Sequence, residues 1–221
     1  MNVLGFDTSS AVSAACVLRA DGQAFEVIPP VEGLTGPPAH ARELMPAIVR
    51  CLQDAEVGFA ELQAIAVGVG PGAFTGLRIG VSTARALAGA NAIELRQVSS
   101  PAALAEASPE RLCLPMIDAK RGEVFAALFD DGRAVWVPFA ATPDELTARL
   151  GEAGVDPVAI GDGSVRFRQV LEAAGVRVAP AGSGTHVVRG LSICRLAATA
   201  PPAAPDAVLP DYLRLPDAKP R

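Results

Sequence analysis

The densest group of chemistry-capable side chains is Asp7-Thr8-Ser9-Ser10, a carboxylate followed by three hydroxyls, directly after the apolar run Val3-Leu4-Gly5-Phe6. A carboxylate and hydroxyls at a strand end could hold a metal and a phosphate, making Asp7, Thr8 and Ser9 the candidate cofactor-binding residues. A turn of Asp, Thr and Ser can equally satisfy its own backbone. Asp118-Ala119-Lys120-Arg121-Gly122-Glu123 is the matching loop further along, and its Lys-Arg pair reads as solvated surface rather than a nucleotide clamp. The segment Gly70-Pro71-Gly72-Ala73-Phe74-Thr75-Gly76 fails both phosphate-loop grammars. A Walker loop needs GxxxxGK, but Leu77-Arg78 follows Gly76, and a GxGxxG run is broken by Ala73, Phe74 and Thr75. A glycine turn ahead of a helix can still receive an anion on free amides, or simply permit close backbone packing. His40 and Glu43, three apart, lack the further ligands of a metal centre. Gly80-Val81-Ser82-Thr83-Ala84 lies within a helical pattern, not at the strand-to-helix elbow of a GxSxG hydrolase. These residues therefore assign no catalytic group, no metal ligand and no cofactor.

The elements that would position these groups repeat. The run ending in Asp7 is followed by residues 11–18, Asp21-Gly22 and residues 23–28, two apolar runs flanking a DG turn as in a hairpin. A proline- and glycine-rich loop delivers the chain to a helix over 39–55, then to the charge-free run Ala64-Ile65-Ala66-Val67-Gly68-Val69, a strand buried on both faces. Thr75 can cap a second helix running to about residue 90. The order then recurs: residues 112–117 end in Asp118, Asp131-Gly132 joins two strands at 123–129 and 134–139, and Thr142-Pro143-Asp144-Glu145 is a capping box. Val158-Ala159-Ile160 runs into Gly161-Asp162-Gly163-Ser164, and a final helix is expected over 186–200. Asp7 and Asp118, and the two DG turns, recur at nearly the same offset. The reading is a duplicated α/β unit, lobes 1–100 and 101–221, with the boundary near residues 99–109.

Composition limits what such a unit can do. With 221 residues, 50% apolar and 19% charged, the chain can bury a substantial core. Nineteen basic against 24 acidic residues give a net charge of −5, which disfavours tight unassisted binding to a nucleic-acid backbone. Cys16, Cys51, Cys113 and Cys194 are too scattered for a disulfide framework or CxxC site and read as core thiols. The start, MNVLGFD, has no basic n-region, and no stretch approaches the roughly eighteen apolar residues of a membrane span. A cytoplasmic location is expected.

Two helix faces offer an interface. Leu44, Ile48 and Leu52 recur every four residues on the first helix, with Met45 and Val49 beside them. Gly76, Gly80, Ala84 and Ala88 leave a face of the second helix nearly bare of side chains, so another helix can approach closely. That neighbour can be internal or a second chain.

The motifs together resemble the bacterial TsaB family, also called YeaZ. They are Leu4-Gly5-Phe6-Asp7-Thr8-Ser9-Ser10, His40-Ala41-Arg42-Glu43-Leu44-Met45-Pro46, Val67 through Gly80 with its GPGAFTGLRIG stretch, Ile117 through Phe125, and Tyr212-Leu213-Arg214. They span essentially the whole chain in the family's order. The resemblance implies an actin-like ATPase fold of two ribonuclease-H-like lobes and a role in making threonylcarbamoyladenosine beside the anticodon of tRNAs reading codons that begin with A. It implies a heterodimer with TsaD, which transfers threonylcarbamoyl to the tRNA, through the first two helices of each protein, with the ATPase TsaE as third component. On this resemblance the expected partner interface is His40, Leu44, Ile48, Leu52, Thr75, Gly76, Gly80, Ala84 and Leu87, with tRNA reached only through the complex and self-pairing when the partner is absent. TsaD-like proteins carry two metal-binding histidines after the next strand, where this chain reads Gln97-Val98-Ser99-Ser100-Pro101-Ala102-Ala103-Leu104. The resemblance therefore implies a noncatalytic scaffold that activates TsaD. The alternatives are a nucleotide-dependent phosphotransferase using Asp7, Thr8 and the Gly161-Asp162-Gly163 turn, and a metallopeptidase, which the missing ligands disfavour.

Overall fold

The first apolar run forms β1 (Val3–Asp7), all five residues buried, at the centre of a sheet. The computed structural model describes residues 1–213, so the motif residue Arg214 lies outside the described part. β2 (Ala14–Leu18) and β3 (Ala24–Val27) follow as an antiparallel meander, Val3 opposite Leu18 and Ala15 opposite Val27. β2 starts at Ala14 rather than at residue 11, because the polar loop after Asp7 extends through Ser13. After the proline-rich loop come α1 (His40–Asp54), β4 (Ala64–Gly70), α2 (Phe74–Asn91) and β5 (Glu94–Ser99). The sheet order is β3-β2-β1-β4-β5, with β4 parallel to β1 and β5 parallel to β4.

α3 (Ser100–Glu106) occupies much of the expected boundary and leads to β6 (Leu112–Lys120), β7 (Glu123–Asp130) and β8 (Arg133–Ala141). α4 (Pro143–Ala153), β9 (Val158–Ile160), α5 (Asp162–Arg166), α6 (Arg168–Ala173), β10 (Arg177–Val178) and α7 (Gly190–Ala197) follow. This sheet runs β10-β9-β6-β7-β8, with β6 antiparallel to β7 and parallel to β9, the same connectivity as the first. The architecture is the expected α/β pair of similar lobes. The capping box before α4 is present, with Thr142 accepting from the Glu145 N–H and Glu145 accepting from the Thr142 N–H.

Three expectations change. α2 starts at Phe74 with Ala73 as its uncapped N-cap, so Thr75 lies exposed inside the first turn instead of capping it. The last helix is shorter than 186–200, because His186 belongs to a preceding turn, Gly184–His186. The end of the expected second lobe returns to the first. α7 packs on β1 and β2, the Ala203 N–H donates to the Leu95 carbonyl at 2.8 Å, and the Asp211 N–H donates to the Val69 carbonyl at 2.7 Å.

The cores follow from this layering. One cluster lies between the sheets, joining Val3, Cys16 and Ala66 to Leu104, Ile117, Phe125 and Ile193. A second fills the space between the first sheet and α1 and α2, and a third lies beneath α4 and α6. All four cysteines are free and buried within these layers. Among the described residues no helix is long and apolar enough to cross a membrane.

Candidate functional site: the Asp7 loop and the outer faces of α1 and α2

Asp7 stands at the carboxyl end of β1, on the edge where β1, β4 and β5 all terminate and where open α/β sheets present their loops. Its carboxylate is fully engaged. Oδ1 accepts from the Ser9 N–H at 2.7 Å and the Ser9 hydroxyl at 2.6 Å, and Oδ2 accepts from the Ser100 hydroxyl at 2.6 Å. Gly68 on the adjacent strand makes room for it, since a Cβ there would lie 1.8 Å from Oδ2. Burial pushes the Asp7 pKa above its ordinary value, opposed by the hydrogen bonds from Ser100 and Ser9. Thr8 donates from its hydroxyl to the Gly76 carbonyl at 2.7 Å, and the Ala73 N–H donates to the Ser9 carbonyl at 2.7 Å. The loop and the start of α2 are therefore bound to each other.

His40, expected at the partner interface, is buried. Its Nδ1 lies 2.9 Å from the Ser13 hydroxyl, and its Nε2 is buried with no hydrogen-bond partner among the described residues. Burial lowers its pKa, with the Asp7 charge opposing. Leu44, Ile48 and Leu52 are buried against the chain's own sheet, Gly76 and Gly80 face the Thr8 loop, and Ala84 is buried in the core beneath α1 and α2. A Cβ on Gly76 would stand 2.1 Å from the Thr8 carbonyl oxygen, and one on Gly80 would stand 2.3 Å from the Thr8 hydroxyl. The bare strip of α2 thus has an internal neighbour, and these residues are not an exposed docking surface. Thr75 is exposed and Leu87 half-buried. The outward row of α1 is instead Met45 and Val49, at 40% and 41% exposure. On α2, which contacts α1, the exposed residues include Thr75, Arg78, Ser82 and Ala86.

The second lobe's counterpart loop is also closed. Lys120 donates from Nζ to Asp118 Oδ2 at 2.8 Å, and Arg166 stands 3.6 Å from the same oxygen. Lys120 pairs with Asp118 while its side chain stays 54% exposed, a solvated surface residue as expected. The Asp118 N–H donates to Asp162 Oδ1 at 3.2 Å, and burial raises the Asp162 pKa to about 7 against that hydrogen bond. The Gly161-Asp162-Gly163 turn packs onto β6, a Cβ at Gly161 meeting the Met116 carbonyl oxygen at 2.2 Å. The groups a phosphotransferase would need, Asp7, Thr8 and this turn, all bond or pack within the chain. Among the described residues no three His, Cys, Asp or Glu side chains form a group able to hold a metal. Ser100, which completes the Asp7 cage, is not among the expected site residues; the Ser99-Ser100-Pro101 helix-start pattern is its one local signal.

Residues 36–198 match the family model described as TsaD, tRNA N6-adenosine threonylcarbamoyltransferase. A protein described as tRNA threonylcarbamoyladenosine biosynthesis protein TsaB from Bacillus subtilis (strain 168) is 28% identical over 226 residues, covering 99% of this chain and 96% of the relative. A crystal structure described as an uncharacterized protein with similarity to peptidase YeaZ, from Pseudomonas aeruginosa, superposes with a TM-score of 0.79 at 26% identity, covering 96% and 99% of the two chains. The chain belongs to this family, in its TsaB (YeaZ) branch. An uncharacterized protein of Mycobacterium leprae (strain TN) is 32% identical over 231 residues; the alignment takes in 99% of this chain, which spans 56% of that relative's length. The two lobes are those of the TsaB family's actin-like fold.

Proposed function

We propose that the protein is a noncatalytic subunit of the system that makes threonylcarbamoyladenosine in tRNA, and that it docks and activates a TsaD-type transferase through the outer faces of α1 and α2. The observation that carries this reading is the exposure of Met45 and Val49, one turn apart on α1, a helix that contacts α2, in a chain of the TsaB family. Apolar side chains that the chain's own core does not cover are the material of a protein interface. The engagement of Asp7, Thr8 and Asp162 inside the chain supports leaving the transfer step to the partner. The net charge of −5 supports contact with tRNA only through the complex. TsaE is the proposed third component, the cytoplasm the proposed location, and self-pairing through the same face the proposed state without a partner.

The test is copurification with the TsaD-type protein of the same organism. Met45→Glu with Val49→Glu should abolish the complex while leaving the unfolding temperature of the isolated chain unchanged within about 2 °C. A double variant that still binds at parental affinity would remove this face from the interface. Gly80→Leu is unsuitable for this purpose, since its side chain would collide with Thr8 and disturb the chain's own fold.

A further inference from the structure

The last described segment crosses the open edge of the first sheet and fastens to α2. Ala203 makes an antiparallel bridge to Leu95 on β5, Val208 is fully buried in the core beneath α1 and α2, and the Asp211 N–H reaches the Val69 carbonyl at 2.7 Å. Tyr212 then lies on the first turn of α2. Its ring is 4.9 Å from that of Phe74, and its hydroxyl accepts from Arg78 Nε at 3.1 Å. The Arg78 guanidinium stands 3.9 Å above the Phe74 ring, so the three side chains close into one stack.

This stack holds the face of α2 that lies away from the Thr8 loop, at a helix start with no side-chain cap. Its N-cap, Ala73, supplies no side-chain acceptor, and no acidic residue offsets the helix dipole in the first turn. The segment from residue 203 to 212 adds a side-chain clasp on the first two turns of this uncapped helix. We propose that Tyr212 is a positioning residue, which through Phe74 and Arg78 holds the first two turns of α2 in the orientation its partner meets. The proposal rests on the partner reading above for its consequence, but the restraint on α2 is a property of the isolated chain.

Tyr212→Ala removes both the stack and the hydroxyl acceptor, whereas Tyr212→Phe keeps the ring. Tyr212→Ala should speed hydrogen exchange of the α2 amides at residues 77–80 about tenfold and weaken binding to the TsaD-type partner by a similar factor, the size of one aromatic stack with one hydrogen bond. The unfolding temperature should fall by about 3–6 °C, the same loss read globally. Tyr212→Phe should recover most of all three effects. Unchanged exchange in Tyr212→Ala overturns the restraint. Faster exchange with parental affinity overturns its role in binding. If the parent chain itself fails to bind the transferase, the partner reading falls, and the exchange measurement still decides whether Tyr212 holds α2.

Discussion

The Thr8 hydroxyl donates to the Gly76 carbonyl at 2.7 Å and occupies the space that a side chain at Gly80, one turn later on α2, would need. Gly80→Ala should therefore destabilise the chain by about 1–3 kcal/mol through overpacking, although alanine is the better helix former. Gly89 on the same helix has nothing within 4 Å of where a methyl would stand, and Gly89→Ala should stabilise by about 0.4–1 kcal/mol. Thermal unfolding of the two variants should shift in opposite directions.

Asp162 sets a pH dependence of known sign. Its pKa in the folded chain is about 7 against an ordinary 3.8, so the folded state binds the proton more tightly than the unfolded state. The stability this contributes is present below the ordinary value and is lost as pH rises through 7. Asp162→Asn keeps an acceptor for the Asp118 N–H and removes the charge. It should be more stable than the parent by a few kcal/mol near pH 8, with the advantage vanishing near pH 4, as read by urea unfolding across that range.

His186 acts in the opposite direction. It is buried, with Nδ1 3.2 Å from the Gly161 carbonyl oxygen and Nε2 3.0 Å from that of Pro180. Burial lowers its pKa from the ordinary 6.5, so the unfolded chain takes the proton first. Its stabilising contribution is present above the ordinary value and lost as pH falls below it. Between about pH 7.5 and 5.5 the urea midpoint of the parent should fall further than that of His186→Gln.

Arg189 grips Glu26 with both Nε and Nη2, and the Leu191 N–H donates to the same carboxylate at 3.1 Å. The Glu26 side chain is 6% exposed, so this pair is screened far less than a surface bridge. Glu26→Ala should cost about 3 kcal/mol by leaving the guanidinium and the amide without their acceptor. Arg189→Lys should recover only part of the contact, because an ammonium cannot reproduce the two-pronged geometry. Equal stability of parent and Glu26→Ala in denaturant titration would show the bridge to be neutral.

The elements that announce themselves in the sequence carry local signals. Thr142, Pro143 and Glu145 fix the start of α4 within one turn, and the short charge-free 64–69 run reads as a buried strand and is one. What stays hidden is decided by residues far apart in the chain. An apolar stripe on α1 is visible from its spacing, yet whether Leu44 or Met45 turns inward depends on the sheet beneath. The sheet takes Leu44, Ile48 and Leu52. The small-residue strip of α2 is equally visible, but its neighbour is Thr8, some seventy positions earlier, and no periodicity points there. The Asp7 cluster is legible as a cluster, while its third bond comes from Ser100 across the sheet.

α3 follows the first sheet in the chain and packs between the two sheets, on β4 and β5 as well as on β6 and β7, while α7 follows the second sheet and packs on β1 and β2 of the first. α3 bridges the two sheets and α7 closes the inner face of the first, so the layer between the sheets is built from both halves. A fragment ending at residue 100 would display the naked inner surface of its sheet and should aggregate rather than fold. Excising either half should therefore leave that shared layer open to water and make the remainder poorly soluble.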